Sequence, residues 1–373
     1  MKESNLYIGT LSGTSADSID AALFDLGKKI KVIGSLSKKI PQNLKSKIIK
    51  FSNSKRNLYE RPTKELIDLD NHFAMETSNL INQLISELKI DKSLIEAIGS
   101  HGQTVQHFPD IKNPYSLQIG CPKIISEKTS IKTVGNFRKA NIDNGGIGAP
   151  LTPAFHKEIF FSKKINRVII NIGGITNITR LIPGKKIIGW DSGPGNCLID
   201  QCVQEFTAKK SQFDNKGRIA EKGNLKDMTK IIESFLSSDY FQENLPKSQA
   251  IINFNFKKIS RSKLKNHSFN DWASAMTEIT ALTIVRDLEK FCKARKVEIY
   301  FCGGGSKNNF LIKRIRDLLN EDYEIKKINN LGIDPMLIEA CTFAWLSKKR
   351  IKKEKINLLN STGAKPSLLG EIF

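Results

Sequence analysis

Along the first forty positions apolar residues alternate with polar or small ones. Leu6 to Thr10 reads as a strand, Ser12-Gly-Thr-Ser-Ala-Asp-Ser18 as a tight turn, and Ile19 to Leu26 and Ile30 to Ile40 as two further strands. Period-two patterning broken by glycine and hydroxyl residues marks a β-meander. From Thr63 to Leu88 the spacing lengthens, with apolar residues at Leu66, Leu69, Phe73, Leu80, Leu84 and Leu88. That rhythm predicts a helix with one buried stripe. A strand and loop follow at Ala97 to Val105.

The opening pattern then recurs. Val168 to Ile172, the pair Gly173-Gly174, Thr176 to Ile182 and Lys186 to Trp190 repeat strand, glycine turn, strand and strand. Trp272, Met276, Ile279, Leu282, Val285 and Leu288 mark a long helix, and Val297 to Cys302 is a strand ending in Gly303-Gly-Gly305. Two meander-plus-helix halves predict a duplicated α/β fold. Asn144 to Pro153, rich in glycine and proline, reads as a rigid turn or hinge near the domain junction. Phe213 to Lys265 has little periodicity and reads as an insertion or lid.

Composition sharpens this picture only a little. With 373 residues, 39% hydrophobic and 26% charged, the chain is an ordinary globular one of two domains, and disordered or fibrous classes are excluded. The net charge of +21 raises nucleic acid or an anionic membrane as a partner. Only 12 of the 59 cations are Arg, however, and the Lys residues are spread along the chain, whereas a specific nucleic-acid reader relies on the planar guanidinium fork. The densest run, Lys348 to Lys355, reads as a solvated face. No apolar stretch is long enough to span a bilayer, and Met1 to Ile8 lacks the apolar core of a signal peptide, so a cytoplasmic protein without a membrane partner is expected. The six cysteines form no C-x-x-C pair and are expected to be reduced thiols.

Four stretches carry candidate chemistry. Gly9 to Asp20 places glycine and hydroxyl residues between two strands, with carboxylates at Asp17 and Asp20. Backbone N–H groups there could hold phosphate oxygens and an Asp could ligate Mg²⁺, while an ordinary hairpin turn explains the same residues equally well. Asp191, at a strand end before Ser192-Gly-Pro-Gly-Asn196, is placed to act as a general base or to brace its turn. His101, in Ser100-His-Gly-Gln-Thr104, follows a strand among small residues that would let a ligand approach. A lone His is more often structural. Gly303-Gly-Gly305 would admit a flat adenine ring or a phosphate, or simply turn the chain. Neither the P-loop nor the dinucleotide-binding glycine motif occurs in a fitting context.

Taken in order, these stretches resemble the sugar kinase, heat-shock ATPase and actin superfamily, and within it the anhydro-N-acetylmuramic acid kinase family. The carriers are Ser12 to Asp20, Ser100 to Thr104, Gly145-Gly-Ile-Gly-Ala-Pro-Leu151 with Pro153-Ala-Phe-His156, Asn171-Ile-Gly-Gly-Ile-Thr-Asn177, Asp191 to Asn196, Cys302 to Gly305 with Asn308, Glu339-Ala-Cys-Thr-Phe-Ala-Trp345, and Thr362-Gly-Ala364. The resemblance implies two ribonuclease-H-like, actin-like ATPase domains, each a mixed five-stranded sheet flanked by helices, around an ATP cleft. The domains are expected at residues 1–129 plus 341–373 and at 130–340. It further implies an ATP- and Mg²⁺-dependent kinase that opens the 1,6-anhydro ring of a cell-wall amino sugar with water and phosphorylates the 6-oxygen, as part of peptidoglycan recycling. A homodimer is also implied.

Carried over residue by residue, Asp191 matches the base that activates water. Gly13, Thr14, Ser15, Ala16, Asp17, Ser18, Ile19 and Asp20 match the ATP phosphate turn, with Asp17 toward the metal. Gly174, Gly193, Gly303, Gly304, Gly305 and Asn308 are implied on the nucleotide, and His101, Gln103, Thr104, Asn171 and Glu339 on the sugar. Two residues depart from the family pattern: Ala16 stands where a large apolar residue is usual, and Ser18 where glycine is usual. A positive φ at Ser18 is therefore expected to strain the turn by about 1 kcal/mol. Ser192, in place of the usual Thr, keeps the hydroxyl.

The runners-up are a kinase of a related amino sugar or anhydrosugar, a non-catalytic actin-like nucleotide switch, and behind them a basic nucleic-acid binder.

Overall fold

A computed structural model describes residues 4–54, 56–58, 60, 62–110, 112–260 and 266–373. The chain divides into two compact units, residues 1–158 with 331–373 and residues 159–330.

In the first unit the meander is β1 (Leu6–Ser12), β2 (Ser18–Leu26) and β3 (Ile30–Lys39), all antiparallel neighbours. β4 (Ile95–Phe108) runs parallel to β1, and β6 (Thr133–Gly135) runs parallel to β4. β5 (Tyr115–Ile119) folds back on the far end of β4, and β12 (Glu371–Ile372) closes the β6 edge. This sheet has seven strands rather than five, because β5 and β12 are added to the order β6-β4-β1-β2-β3. The second unit has the five-stranded order β11-β10-β7-β8-β9, built from β7 (Asn166–Ile172), β8 (Ile175–Leu181), β9 (Ile188–Pro194), β10 (Val297–Cys302) and β11 (Tyr323–Lys326). β7, β8 and β9 form an antiparallel meander, with β10 and β11 parallel to β7. Both sheets therefore carry the same mixed order, and the fold is the duplicated α/β architecture expected from the sequence.

Helix Lys64–Leu88 buries Leu66, Leu69, Phe73, Leu80 and Leu84, most of the expected stripe. Thr63 caps it by accepting from the Leu66 N–H at 3.2 Å, which satisfies one of the orphan donors of the first turn. Helix Phe269–Phe291 starts with a reciprocal Ser268–Asp271 capping box and is buried on nearly every side, including Trp272, Met276, Ile279 and Leu288.

The division between the units lies near residues 158 and 331, not 130 and 341. β6 hydrogen-bonds to β4 and so draws residues 130–158 into the first unit. Asn144 to Pro153 lies within that unit as a clamp: Asn141 Oδ1 accepts from Gly148 N at 2.9 Å, and Ile147 N donates to Thr362 O at 3.0 Å. The segment expected to be an insertion is helical. Met228, Ile231, Ile232, Leu236, Tyr240, Phe254 and Phe256 pack with Trp272, Met276 and Ile279 in one core; its last residues, 261–265, lie outside the described residues.

Candidate functional site

The glycine motifs of the second unit converge at one end of its sheet. At the β7–β8 turn, Gly174 O accepts from the N–H groups of Gly195 (3.0 Å) and Cys197 (3.2 Å), and Gly173 O accepts from Asn196 (2.8 Å). Gly303 sits at φ +76°, and a Cβ there would fall 2.3 Å from Asn171 Oδ1. A Cβ on Gly305 would lie 2.2 Å from Ile172 Cγ2, whereas Gly304 has open space, its closest neighbour being Asn196 Nδ2 at 3.8 Å. Asn171, Ile172, Gly303 and Gly305 are thus neighbours across the ends of β7 and β10, with Gly174 following in the β7–β8 turn. Asn308 caps helix Asn309–Leu318, its side-chain oxygen accepting from Leu311 N at 3.0 Å. Gly193 pairs with Thr176 in β9, and its missing side chain admits Phe241 and Thr283.

Asp191 is not at the end of a strand. β9 runs on to Pro194 because Thr176 and Ile175 pair with Gly193 and Pro194. Its carboxylate is buried, at 4% exposure. One oxygen accepts from Asn177 Nδ2, and the other accepts from Ser248 Oγ at 2.6 Å and Gln249 N at 3.0 Å. Tyr240 donates its hydroxyl to the Asp191 carbonyl. Burial, first, and then the neighbouring carboxylates of Asp191, Asp287 and Glu243 push the Tyr240 hydroxyl pKa up, so it stays a donor. A carboxylate held by several donors is fixed in direction, as an oriented proton acceptor must be. Tyr240, Ser248 and Gln249 lie in the stretch without periodicity, and nothing local in the sequence marks them.

In the first unit, Ala16 N closes the β1–β2 turn onto Gly13 O at 2.9 Å. Gly13, Thr14 and Ser15 are exposed, and nothing lies within 4 Å of the Cβ position of Gly13. The positive φ expected at Ser18 is instead at Ala16, φ +51°. Ser18 is the first residue of β2, paired with Lys39, and its hydroxyl donates to Asp20 at 3.2 Å. The strain of the turn is therefore borne by Ala16, at about 1 kcal/mol for an L-residue. Ala16 and Ile19 bury their side chains in the core, so only their backbone can face a phosphate. Asp17 is exposed and ion-paired with Lys45, a partner not anticipated from the sequence.

His101 lies within β4, not in a loop, because the strand continues to Phe108. Its Nδ1 is 3.0 Å from Gly102 O, and Arg138 Nε donates to its Nε2 at 3.0 Å. These contacts fix the proton on Nδ1. Burial, then the Arg138 charge, lowers its pKa to about 3, so the ring is a neutral positioner. It lines a cavity of about 230 Å³ with Asp70, Ser100, Gln118 and Asn136 among others. Gln103 is fully buried, accepting from Ser12 Oγ at 2.7 Å and donating to Thr104 O. Thr104 Oγ1 accepts from Gln118. Glu339 stands in the first turn of helix Ile338–Ile351. No group of three or more His, Cys, Asp or Glu poised to cage a metal occurs among the described residues.

The model of the anhydro-N-acetylmuramic acid kinase family matches residues 5–373. The chain belongs to the anhydro-N-acetylmuramic acid kinase family. That places it among the sugar kinases. Relatives named anhydro-N-acetylmuramic acid kinase include those of Coxiella burnetii (35% identical, covering 98% of this chain and 97% of the relative), Shewanella denitrificans (36%, 99% and 98%) and Vibrio vulnificus (33%, 98% and 96%). Among solved structures, the activator of the 2-hydroxyisocaproyl-CoA dehydratase from Clostridium difficile with bound ADPNP matches at a TM-score of 0.44 and 11% identity, covering 94% of this chain and 98% of that one.

Proposed function

We propose that the protein phosphorylates 1,6-anhydro-N-acetylmuramic acid with ATP while water opens the 1,6-anhydro bridge, giving N-acetylmuramic acid 6-phosphate and ADP. The observation that carries this reading is the family match from residue 5 to residue 373. Water adds its oxygen to C1 and surrenders one proton to Asp191. The C1–O6 bond breaks toward O6, which takes the γ-phosphoryl group, and the second water proton remains on the new anomeric hydroxyl. Water is a weak nucleophile and needs the base, while the released oxygen needs the electrophilic phosphorus, so one carboxylate and one nucleotide suffice.

On this reading the exposed backbone of Gly13 to Ser15 and the open space at Gly304 accommodate phosphate oxygens, to which backbone N–H groups are well suited. Mg²⁺ arrives with the nucleotide, since such ions are commonly held by one or two carboxylates together with phosphates and water. Asp17 is the carboxylate assigned to it, in exchange with Lys45. His101 and Glu339 are assigned to the sugar. The reaction belongs to recycling of cell-wall fragments in the cytoplasm.

Incubation of the purified protein with 1,6-anhydro-N-acetylmuramic acid, ATP and Mg²⁺, followed by mass spectrometry, tests this reading. The expected product has the mass of the substrate plus one water and one phosphoryl group. A phosphorylated product that has gained no water, or no product from this sugar when a related amino sugar reacts, overturns it.

A further inference from the structure

The chain around residue 247 makes an unusual use of a lysine. The Lys247 side chain is fully buried, with Nζ 3.1 Å from Asp287 Oδ1 and 5.0 Å from the centre of the Tyr240 ring. Asp287 Oδ2 accepts from Trp190 Nε1 at 2.8 Å, so the one carboxylate anchors both Lys247 and the residue just before Asp191. Ser192, just after Asp191, donates to Thr283 O, one turn earlier on the same helix as Asp287. From the other side, Asp191 N donates to Lys247 O at 3.1 Å. The next two residues, Ser248 and Gln249, supply the two donors on Asp191 Oδ2.

Burying an ammonium costs more than a surface ion pair returns, and apolar replacement of such pairs is often neutral or stabilising. Stability is therefore a weak reason for a charge here. What the pair does accomplish is geometric: it pins residues 246–249 along β9, an edge strand of the sheet.

We infer that Lys247 is a positioning residue which, docked on Asp287, holds the Ser248 and Gln249 donors against the Asp191 carboxylate. The inference rests on the reading of Asp191 as the base. Among the described residues the charged and titratable groups around this point include Lys247, Asp287, Tyr240, Glu243 and Lys290. Donors lost from Oδ2 favour the protonated carboxyl.

The test is the double variant Lys247→Met/Asp287→Asn, which removes both charges so that neither is left buried without its counter-ion, while the Asn oxygen can still accept from Trp190 Nε1. It is expected to melt cooperatively, to lose at least tenfold in kcat, and to keep KM for ATP within twofold. Carbon-13 NMR of labelled aspartate, with the Asp191 signal identified by its loss in Asp191→Asn, is expected to show the titration of that carboxyl moved up by roughly one pH unit. An unmoved titration overturns the inference, as does a kcat loss with no change in that titration. Should the double variant fail to fold, Ser248→Ala removes one donor with the ion pair intact; it is expected to move the titration the same way, and no movement overturns the inference. If the titration moves but Asp191→Asn retains wild-type kcat, the base reading fails and the strap stands. If Asp191→Asn is inactive while the double variant titrates and turns over normally, only the strap fails.

Discussion

Asp191 keeps its carboxylate where little water reaches it, and the donors around it decide what it can do. Asparagine at this position keeps the size and part of the hydrogen bonding but cannot take a proton from water. Asp191→Asn is therefore expected to lower kcat by about a hundredfold or more, the usual worth of a general base, with ATP affinity changed by less than about twofold. A coupled ADP assay and calorimetric titration check this. A loss of no more than tenfold, about 1.4 kcal/mol, would move the role to Glu339. His156 offers a second residue-scale test that is independent of catalysis. It is 2% exposed, and burial lowers its pKa from 6.5 to about 3. Between those values the unfolded chain binds a proton that the folded chain refuses, so this contribution to stability is complete above about pH 6.5 and declines as pH falls toward 3. At pH 5 the loss relative to pH 7 is roughly 2 kcal/mol. Urea unfolding of wild type and His156→Gln at both pH values should show the pH-dependent difference reduced by about that amount in the variant. An unchanged difference would mean that His156 does not refuse the proton.

At the scale of elements, the first unit depends on how closely helix Ile338–Ile351 lies on its sheet. A Cβ on Gly9 would be 1.8 Å from Ala340 O, and one on Gly99 would be 2.0 Å from Phe343 O. Both clashes are with backbone, so neither is relieved by a side-chain rotation. Gly99→Ala is therefore expected to destabilise the protein by at least about 2 kcal/mol. Because Glu339 rides on the first turn of that helix, KM for the sugar should rise as well; chemical denaturation and kinetics read the two effects, and a melt within 1 °C of wild type would refute the close approach. The meander strands and helix Lys64–Leu88 could be placed from periodicity, since a single element with one buried face writes its spacing into the sequence, whereas helix Ile338–Ile351 is buried almost continuously from Ala340 to Ser347 and shows no such spacing. Residues 213–260 could not be placed either, because their short helices never complete enough turns to set a rhythm. The same physics explains what was missed at the site: Ser248 and Gln249 reach Asp191 across more than fifty positions of chain. Continuation of β4 past His101 and of β9 past Asp191 was equally hidden, as it depends on partner strands that glycine-rich local sequence does not announce.

For the molecule as a whole, the net charge of +21 remains the feature most easily misread. The densest basic run shows why. Lys348 donates to Leu26 O, Lys349 pairs with Glu158 at 3.3 Å and Glu354 at 2.6 Å, and Arg350 Nε donates to Gly370 O at 2.8 Å. These three cations are committed to carbonyls and carboxylates of their own unit, at the C-terminal end of a helix whose dipole favours them, while Lys352, Lys353 and Lys355 are exposed. Among the described residues the exposed large aromatics are Phe161, Phe213 and Phe373, too few to make a stacking surface for bases. Among the described residues no helix is long and apolar enough to cross a membrane. The net charge is expected to act as a diffuse positive field, attracting any polyanion weakly and without regard to sequence, and screened by salt over about 8 Å at physiological ionic strength. Fluorescence anisotropy with duplex DNA and with single-stranded RNA of several sequences is expected to show weak binding at low salt that disappears by physiological salt and does not rank the sequences. Submicromolar binding to one sequence over the others at physiological salt would show that the lysines are organised after all, and would bring back a nucleic-acid role beside the kinase.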